Sequence, residues 1–273
     1  MTTITVTTQD GLDAALATHG SDWDAEIIIS SLEGVWLEVH TSVYATVHAT
    51  DSSSVRAYGS ASVYARDSAH VTAHDSTTVY ARDSARVTAF DSTTVHSFGS
   101  TTAHALGAAT VHAYDSASVR ATGSASVYAS GSAHVYAYDS AYVRAFGSAT
   151  VYSFDWTRVA AFGSASVHAY GSGSVYATDS ASVTASDSTT VAATGSASII
   201  AIDAAHVYAT DAAGVRAYDS ASVYATGSVS VTTYGSAHVY ATDSARVAAY
   251  DSASVTESAL VTSDDSTNVR VTD

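Results

Sequence analysis

Residues 59–66 read Gly-Ser-Ala-Ser-Val-Tyr-Ala-Arg, and this octad decides the fold. From residue 51 to residue 258, 26 such units follow one another without insertion or deletion. The first position is Asp in 15 units and Gly in 11, and the second position is Ser in 22. Asp and Gly tolerate left-handed backbone angles, and Asp and Ser side chains bond nearby amides, so positions 1 and 2 predict a turn.

The rest of the octad alternates between small apolar and mixed side chains. Positions 3, 5 and 7 are mostly Ala, Val and Ala, with Val or Ile at position 5 in 25 of the 26 units. This period of two predicts a strand over positions 3–7 whose small apolar side faces inward. Positions 4, 6 and 8 carry Ser, Thr, Tyr, His, Arg and Phe, and we expect these side chains to face outward.

Alternate octads differ, and the difference sets the length of one coil. In the set of 13 units that begins at Gly59, position 6 is Tyr seven times, against twice in the set that begins at Asp51. The preference reverses at position 8, where the Asp51 set has eight aromatic residues and the Gly59 set has four. A period of 16 residues predicts an all-β fold, a parallel β-solenoid with two octads per coil and two sheets back to back. Its 13 coils would form a thin rod of roughly 62 Å.

The segment before the repeat is expected to form a small α/β cap over residues 1–50. Residues 3–7, 27–29 and 35–39 alternate or cluster like short strands. Asp10 is suited to cap a helix over residues 11–19, and Gly20 is suited to end it in a left-handed conformation. We therefore predict three parts, which are the cap over residues 1–50, the solenoid over 51–258 and a last coil with a broken register over 259–273.

The helix and the tail carry further expectations. Leu12, Ala15 and Leu16 make the apolar stripe of the helix. The charged residues of the last coil are expected to guard its edge against pairing with another strand, or else to mark an end-to-end contact. These residues are Asp264, Asp265, Arg270 and Asp273.

Composition excludes several classes of function. The net charge is −16 and there is no Cys, which removes disulfides, thiol nucleophiles and thiolate metal sites. An acidic surface repels the phosphate backbone of nucleic acids, so we expect no direct binding to nucleic acid. Neither a signal peptide nor a membrane span is apparent, so we expect a cytoplasmic or virion-associated protein that does not bind membranes. The repeat has no insertions to build the walls of a groove and no Ser-His-Asp arrangement stands out, so we expect no enzyme, catalytic residue or cofactor.

Two stacked arrangements could hold a metal ion. Residues 16 apart lie on adjacent coils, which places His96 beside His112 and sends His104 to the other face. The Asp residues of the turns also stack, three on one edge and three on the other. These are Asp51, Asp67 and Asp83, and Asp187, Asp203 and Asp219. Because Gly freely replaces Asp at position 1, we interpret the Asp columns as turn formers and assign no metal site.

The outward aromatic residues give the one candidate surface. All five Phe residues lie at position 8 and between residues 90 and 162. With neighbouring Leu and Tyr residues they predict aromatic strips beside the turns, and a contiguous apolar patch marks an association surface. The alternative is that the rings stack only to stabilise adjacent coils. The proposed surface comprises Phe90, Phe98, Leu106, Tyr114, Tyr138, Phe146, Phe154 and Phe162.

The octads resemble those of octapeptide-repeat β-solenoid proteins and, remotely, the repeat region of bacterial ice-nucleation proteins. The string Ala-Tyr-Gly-Ser at residues 57–60 and 169–172 carries the likeness, which covers most of residues 51–258. The resemblance implies a parallel solenoid and outward Thr rows that order water. Here the residues after Gly-Ser are Ala-x-Val, and an outward Thr column occurs only in patches such as Thr178, Thr194, Thr210, Thr226 and Thr242.

Three functions remain open. The first is a structural or interaction rod that forms a homodimer or higher oligomer, or binds a protein partner, through its aromatic columns. The second is an acidic DNA mimic that inhibits a nucleic-acid-binding protein. The repeat has 16 acids against nine Arg, about one net charge per 9 Å, whereas duplex DNA carries one per about 1.7 Å. The third is ice binding or ice nucleation through the Thr column. We favour the first.

Overall fold

The computed structural model describes residues 2–22, 24–40, 46–256, 260–263 and 268–270. The chain divides into two compact units, Met1–Val135 and Tyr136–Asp273, called here the N-terminal unit and the C-terminal unit. Trp23, Glu257 and the predicted guard residues Asp264, Asp265 and Asp273 lie outside the described residues, as does the side chain of Arg270.

The described residues of the N-terminal unit form one helix and fourteen strands, and each strand of the repeat covers four residues. In chain order they are β1 (Thr2–Val6), α1 (Gln9–His19), β2 (Ala25–Ile29), β3 (Trp36–Val39), β4 (Thr46–Ala49), β5 (Ser54–Ala57), β6 (Ser62–Ala65), β7 (His70–Ala73), β8 (Thr78–Ala81), β9 (Arg86–Ala89), β10 (Thr94–Ser97), β11 (Thr102–Ala105), β12 (Thr110–Ala113), β13 (Ser118–Ala121) and β14 (Ser126–Ala129). The division between the units falls within the next strand, β15 (His134–Ala137).

The C-terminal unit consists of strands of the same kind. They are β16 (Tyr142–Ala145), β17 (Thr150–Ser153), β18 (Arg158–Ala161), β19 (Ser166–Ala169), β20 (Ser174–Ala177), β21 (Ser182–Ala185), β22 (Thr190–Ala193), β23 (Ser198–Ala201), β24 (His206–Ala209), β25 (Gly214–Ala217), β26 (Ser222–Ala225), β27 (Ser230–Thr233), β28 (His238–Ala241), β29 (Arg246–Ala249), β30 (Ser254–Thr256), β31 (Leu260–Ser263) and β32 (Asn268–Arg270).

Within each unit the strands form two parallel sheets. Even-numbered strands pair with even-numbered strands, as β6 does with β8 in the register Val63↔Val79. Odd-numbered strands from β3 onwards pair likewise, as β19 does with β21 in the register Val167↔Val183, whereas β1 pairs with β2 and so joins the even-numbered strands. We call these the even sheet and the odd sheet. The offset of 16 residues confirms the predicted two-sheet parallel β-solenoid, with about 14 turns counted over both units.

The turn occupies positions 8, 1, 2 and 3 of the octad, so the strand begins at position 4 instead of the predicted position 3. The N–H of Ala69 at position 3 donates to the carbonyl of Arg66 at position 8, 3.0 Å away. Asp67 between them has a φ of 56°, a left-handed conformation that Asp and Gly adopt more readily than other residues. The turn backbone also bonds to the coil before it, since Ser68 N–H donates to the carbonyl of Asp51 at 2.9 Å.

The core follows the predicted inward positions. Side chains at positions 3, 5 and 7, such as Ala61, Val63 and Ala65, are fully buried between the two sheets. Larger buried residues concentrate at the first coils, where Leu12 of α1 and Ile27 of β2 have no exposed surface. The small Ala residues beside the turns let the sheets converge. Position 7 is Ala in 22 of 26 units, and the residues that replace Ala at position 3 are mostly buried Thr.

The cap begins differently from the prediction. Thr8, and not Asp10, is the N-cap of α1, because its hydroxyl accepts the N–H of Gly11 at 3.2 Å. Gly20 ends the helix with a right-handed φ of −62° instead of the predicted left-handed angle. A Cβ on Gly20 would lie 2.5 Å from the carbonyl oxygen of Leu16, so close approach is what requires glycine here.

The first strand of the odd sheet is covered by a side chain. Gln9 of α1 accepts the N–H of Glu38 at 2.7 Å and donates to the carbonyl of the same residue at 3.0 Å. Its carboxamide thus takes the place of a neighbouring strand beside β3, and such pairing protects a sheet edge. The sheets themselves continue through residue 50, since β4 pairs with β6 and β3 with β5.

The last coil keeps the pairing at a shorter offset. β31 pairs with β29 in the register Arg246↔Leu260, and β32 pairs with β30 in the register Ser254↔Asn268. Both offsets are 14 residues, two fewer than in the repeat, which is the register break seen in the sequence. Among the described residues, no helix is long and apolar enough to cross a bilayer.

Candidate association surface

Outward side chains at the same octad position stack from coil to coil. In-register parallel strands repeat every 4.7–4.9 Å, which is close to the stacking distance of two rings. Tyr64 and Tyr80, for example, have ring centroids 4.8 Å apart and planes inclined by 14°. Each position therefore produces a column, and every aromatic column adds ring contacts to the backbone hydrogen bonds that join adjacent coils.

Within each unit, the residues of the predicted surface lie on two opposite edges. The first edge is where odd strands lead into even strands, and the second edge is where even strands lead into odd strands. Phe90, Leu106, Tyr138 and Phe154 follow odd strands and lie on the first edge, whereas Phe98, Tyr114, Phe146 and Phe162 follow even strands and lie on the second edge. The structure therefore separates into two groups of four what the sequence interpretation treated together.

Within the N-terminal unit, rings of the predicted surface belong to short columns. On the first edge, Phe90 stacks on His74 at 4.7 Å, and His74 stacks on Tyr58 at 5.0 Å. On the second edge, Phe98 stacks on Tyr114 at 4.7 Å and receives the guanidinium of Arg82 at 5.5 Å. These rings are half-buried by their neighbours.

Within the C-terminal unit, the first edge carries the stack Tyr138–Phe154–Tyr170, with centroid distances of 4.9 and 5.3 Å. The second edge carries the pair Phe146 and Phe162 at 4.9 Å. Phe146 and Tyr170 are exposed, so this unit presents more of its edge rings to solvent than the N-terminal unit does.

Trp156 is the residue that the sequence interpretation overlooked. It occupies position 2 of a first-edge turn, where the octad has Ser in 22 of 26 units, and 70% of its surface is exposed. It lies two residues after Phe154, beside the stack on the first edge of the C-terminal unit. The signal was a tryptophan at a turn position of the repeat, and exposed Trp is the side chain most enriched at energetically important interface positions.

The faces of the sheets carry their own columns at position 6. On the even sheet of the N-terminal unit, six rings form one column, in which the first pair is tilted by 31° and the others are stacked. The rings are those of His48, Tyr64, Tyr80, His96, His112 and Tyr128. On the even sheet of the C-terminal unit, Tyr208, Tyr224 and Tyr240 form a shorter and more exposed column. The octads in which position 6 is most often Tyr thus all contribute strands to the even sheet, as the period of 16 residues predicted.

The paired histidines lie as predicted, but their geometry is wrong for a shared metal ion. His96 and His112 are register partners with centroids 4.8 Å apart and planes inclined by only 8°, so the rings meet face to face. Burial lowers the pKa of both imidazoles, and the neighbouring His112 lowers the pKa of His96 further. Among the described residues, no group of three or more His, Asp or Glu could hold a metal ion.

The Asp columns are used within the turns. Asp75 accepts the N–H of Gly59, 16 residues earlier, at 2.9 Å, and Asp187 accepts the N–H of Gly171 at 2.9 Å. Where Asp follows Asp the same bond is longer, as for Asp67 with the N–H of Asp51 at 3.4 Å. These carboxylates thus link their turns to the coil before them, whether that coil has Asp or Gly at position 1.

Comparisons with known proteins add no relative to this description. No protein family model, curated protein or solved structure matches the chain.

Proposed function

We propose that this protein is a non-enzymatic structural or interaction solenoid that associates with a second copy of itself through exposed aromatic columns. The observation that supports the proposal best is Trp156, which is 70% exposed beside the Tyr138–Phe154–Tyr170 stack. Exposed aromatic surface is costly in water and is recovered on association. The first edge of the C-terminal unit is therefore the centre of the proposed contact.

Self-association suits this edge because Tyr138, Phe154 and Tyr170 form one stack with Trp156 beside it. In a symmetric dimer the same patch meets itself, so the exposed carboxylates of the neighbouring turns must lie outside the contact between the rings. The acidic residue of this turn, Asp155, accepts the N–H of Asp139 at 3.2 Å and so serves the turn itself. A different protein with a complementary apolar groove is the alternative partner, and neither form of the proposal needs a cofactor, nucleic acid or a membrane.

The test is the molar mass in solution, measured by size-exclusion chromatography with multi-angle light scattering. We expect the wild type to be a dimer or larger at tens of micromolar, and we expect Trp156→Ser, which restores the octad consensus, to be a monomer. Tyr208→Ser removes an exposed ring from the even sheet of the same unit, away from the first edge, and serves as the matched control that keeps its association. A wild type that is strictly monomeric contradicts the proposal.

Ice binding is the second candidate, and the Thr column favours it. Thr178, Thr194 and Thr210 follow successive even strands on the second edge of the C-terminal unit, together with Thr226 and Thr242. The column is a single file, and two of its hydroxyls donate to the Asp that follows them in the chain, Thr178 at 3.2 Å and Thr210 at 3.4 Å. A droplet-freezing or thermal-hysteresis measurement tests this candidate, and activity above the buffer would support it.

The DNA-mimic alternative has less support. Its acidic groups would be the Asp columns, whose carboxylates bond to the backbone of the preceding coil. A pull-down from a host lysate that recovers a nuclease or another nucleic-acid-binding enzyme would favour mimicry over self-association. The proposed solenoid would act in the cytoplasm or in a virion.

A further inference from the structure

A groove interrupts the even face of the C-terminal unit. Along position 6 the register runs from Arg144 to Ala160 to Tyr176, so a methyl group stands where most coils carry a larger side chain. A cavity of about 460 Å³ opens over Ala160. Its walls include Arg158 and Phe162, which flank Ala160 at positions 4 and 8.

The gap at Ala160 has the dimensions of one ring of a stacked column. Arg144 and Tyr176 are two coils apart, or about 9.6 Å at the usual strand spacing. A ring on the intervening coil would lie about 4.8 Å from each of these two coils, and this protein's own stacked rings lie 4.7–5.3 Å apart. Tyr176 touches Phe162 edge-on at 6.4 Å and has no stacked ring partner among the described residues.

The charge of the groove is opposite to that of the protein. The chain has a net charge of −16, yet two arginines and no acidic side chain line this groove. Arg144 is positioned by its Nε–H, which donates to the hydroxyl of Tyr142 at 2.8 Å. Arg158 is exposed and forms no ion pair with an acid in the part of the chain that the structure describes.

We propose that this groove binds a planar aromatic anion. Its ring lies over Ala160 and packs against the side chains of Arg144 and Tyr176, and its carboxylate or sulfonate accepts hydrogen bonds from Arg158. Guanidinium groups stack on aromatic faces and bind carboxylates through paired N–H donors. The groove thus combines a surface for a ring with a partner for a negative charge.

The test measures binding of the naphthoate anion and of neutral naphthamide by isothermal titration calorimetry on the full chain. We expect naphthoate to bind the wild type about tenfold or more tightly than naphthamide, since the charge-assisted hydrogen bond is lost with the amide. Arg158→Ser should weaken naphthoate by a similar factor and leave naphthamide unchanged. Ala160→Tyr should abolish binding of both, because the new ring occupies the place of the ligand.

Matched controls distinguish specific binding in the groove from nonspecific binding to exposed aromatic side chains. Arg246→Ser removes the Arg at position 4 of β29 in the odd sheet of the same unit, and naphthoate affinity should not change. Ala160→Tyr places at position 6 a residue that this position carries in other coils, and circular dichroism checks that it folds. Equal affinity for the two probes, undiminished binding to Ala160→Tyr, or no heat at millimolar naphthoate overturns the proposal.

Discussion

The even face of the N-terminal unit and that of the C-terminal unit differ although the core beneath them is the same. In the N-terminal unit six rings form one column from His48 to Tyr128, half of them His. In the C-terminal unit Ala160 and Ala192 interrupt the column, and the Tyr residues that remain are more exposed. The inward Val and Ala rows are fully buried in both. The buried side chains of this solenoid are therefore of the same kind in both units, whereas the outward side chains at position 6 differ between them.

The largest expected effect tests the claim of a common interior. Ala129→Leu in the N-terminal unit and Ala177→Leu in the C-terminal unit add bulk at fully buried positions beside the turns. Each should destabilise by about 1–3 kcal/mol, because the converging sheets cannot accept a larger side chain. Chemical denaturation followed by circular dichroism measures the change. Unchanged unfolding, or a loss in only one unit, would contradict the thin and shared core.

A second prediction concerns the contribution of continuous stacking. Tyr80→Ala removes a ring that stacks on Tyr64 at 4.8 Å and on His96 at 4.9 Å, and should cost about 1–2 kcal/mol. Tyr176→Ala, which removes a ring with no stacked partner, is the matched control in the C-terminal unit and should cost less. Equal losses in thermal or urea unfolding would show that burial alone, and not stacking, stabilises the columns.

A third prediction concerns pH. The lowered pKa values of His96 and His112 mean that the folded state binds protons less readily than the unfolded chain. The resulting stability is present above the ordinary His value of about 6.5 and is lost as the pH falls from there through the lowered values. His96→Tyr with His112→Tyr should weaken this loss, measured as the melting temperature between neutral and acidic pH.

The control for the pH prediction comes from the other unit. Position 6 of its even sheet holds no His, and His206→Tyr changes an exposed residue of β24 at position 4. This variant should keep the acid sensitivity of the wild type. If the paired substitution in the N-terminal unit leaves the sensitivity unaltered, the stacked imidazoles are not its source.

The smallest expected effect lies in the turns, which both units share. Asp75→Asn and Asp187→Asn keep a residue that tolerates left-handed angles but remove the charge from a 2.9 Å hydrogen bond to a glycine N–H. Each should cost under about 1 kcal/mol, because the groups are exposed to solvent. Differential scanning calorimetry of the two variants should give similar shifts, and a marked difference would mean that the turns are not equivalent.

Much of the fold could be predicted because the same turn residues and the same alternation of apolar residues recur in 26 octads. The period of 16 residues gave the two sheets, and the inward triplet gave the buried rows. The ends were harder, since Thr8 and Asp10 are both good caps and only the path of the chain selects Thr8. Gln9 beside β3 could not be foreseen either, because its partner Glu38 lies 29 residues away.

The candidate surface was less predictable than the fold. Position 8 was correctly interpreted as outward, but the eight selected residues divide between two edges. Trp156 was missed because it lies at position 2, which the repeat pattern assigns to the turn. Residue type alone does not tell how much of a ring its stacked neighbours cover. Exposure depends on the coil above and the coil below, which is why Phe90 is half-buried and Phe146 is exposed.

By itself, the sequence determined a parallel two-sheet solenoid with Asp or Gly turns, because turn chemistry and alternation of apolar residues are local and repeat without interruption. Only the tertiary structure decided what stacks on what. It joined turn carboxylates such as that of Asp75 to the coil before them, placed Arg158 beside the small side chain of Ala160, and left Trp156 in solvent. These outcomes depend on contacts between coils, which one octad does not specify.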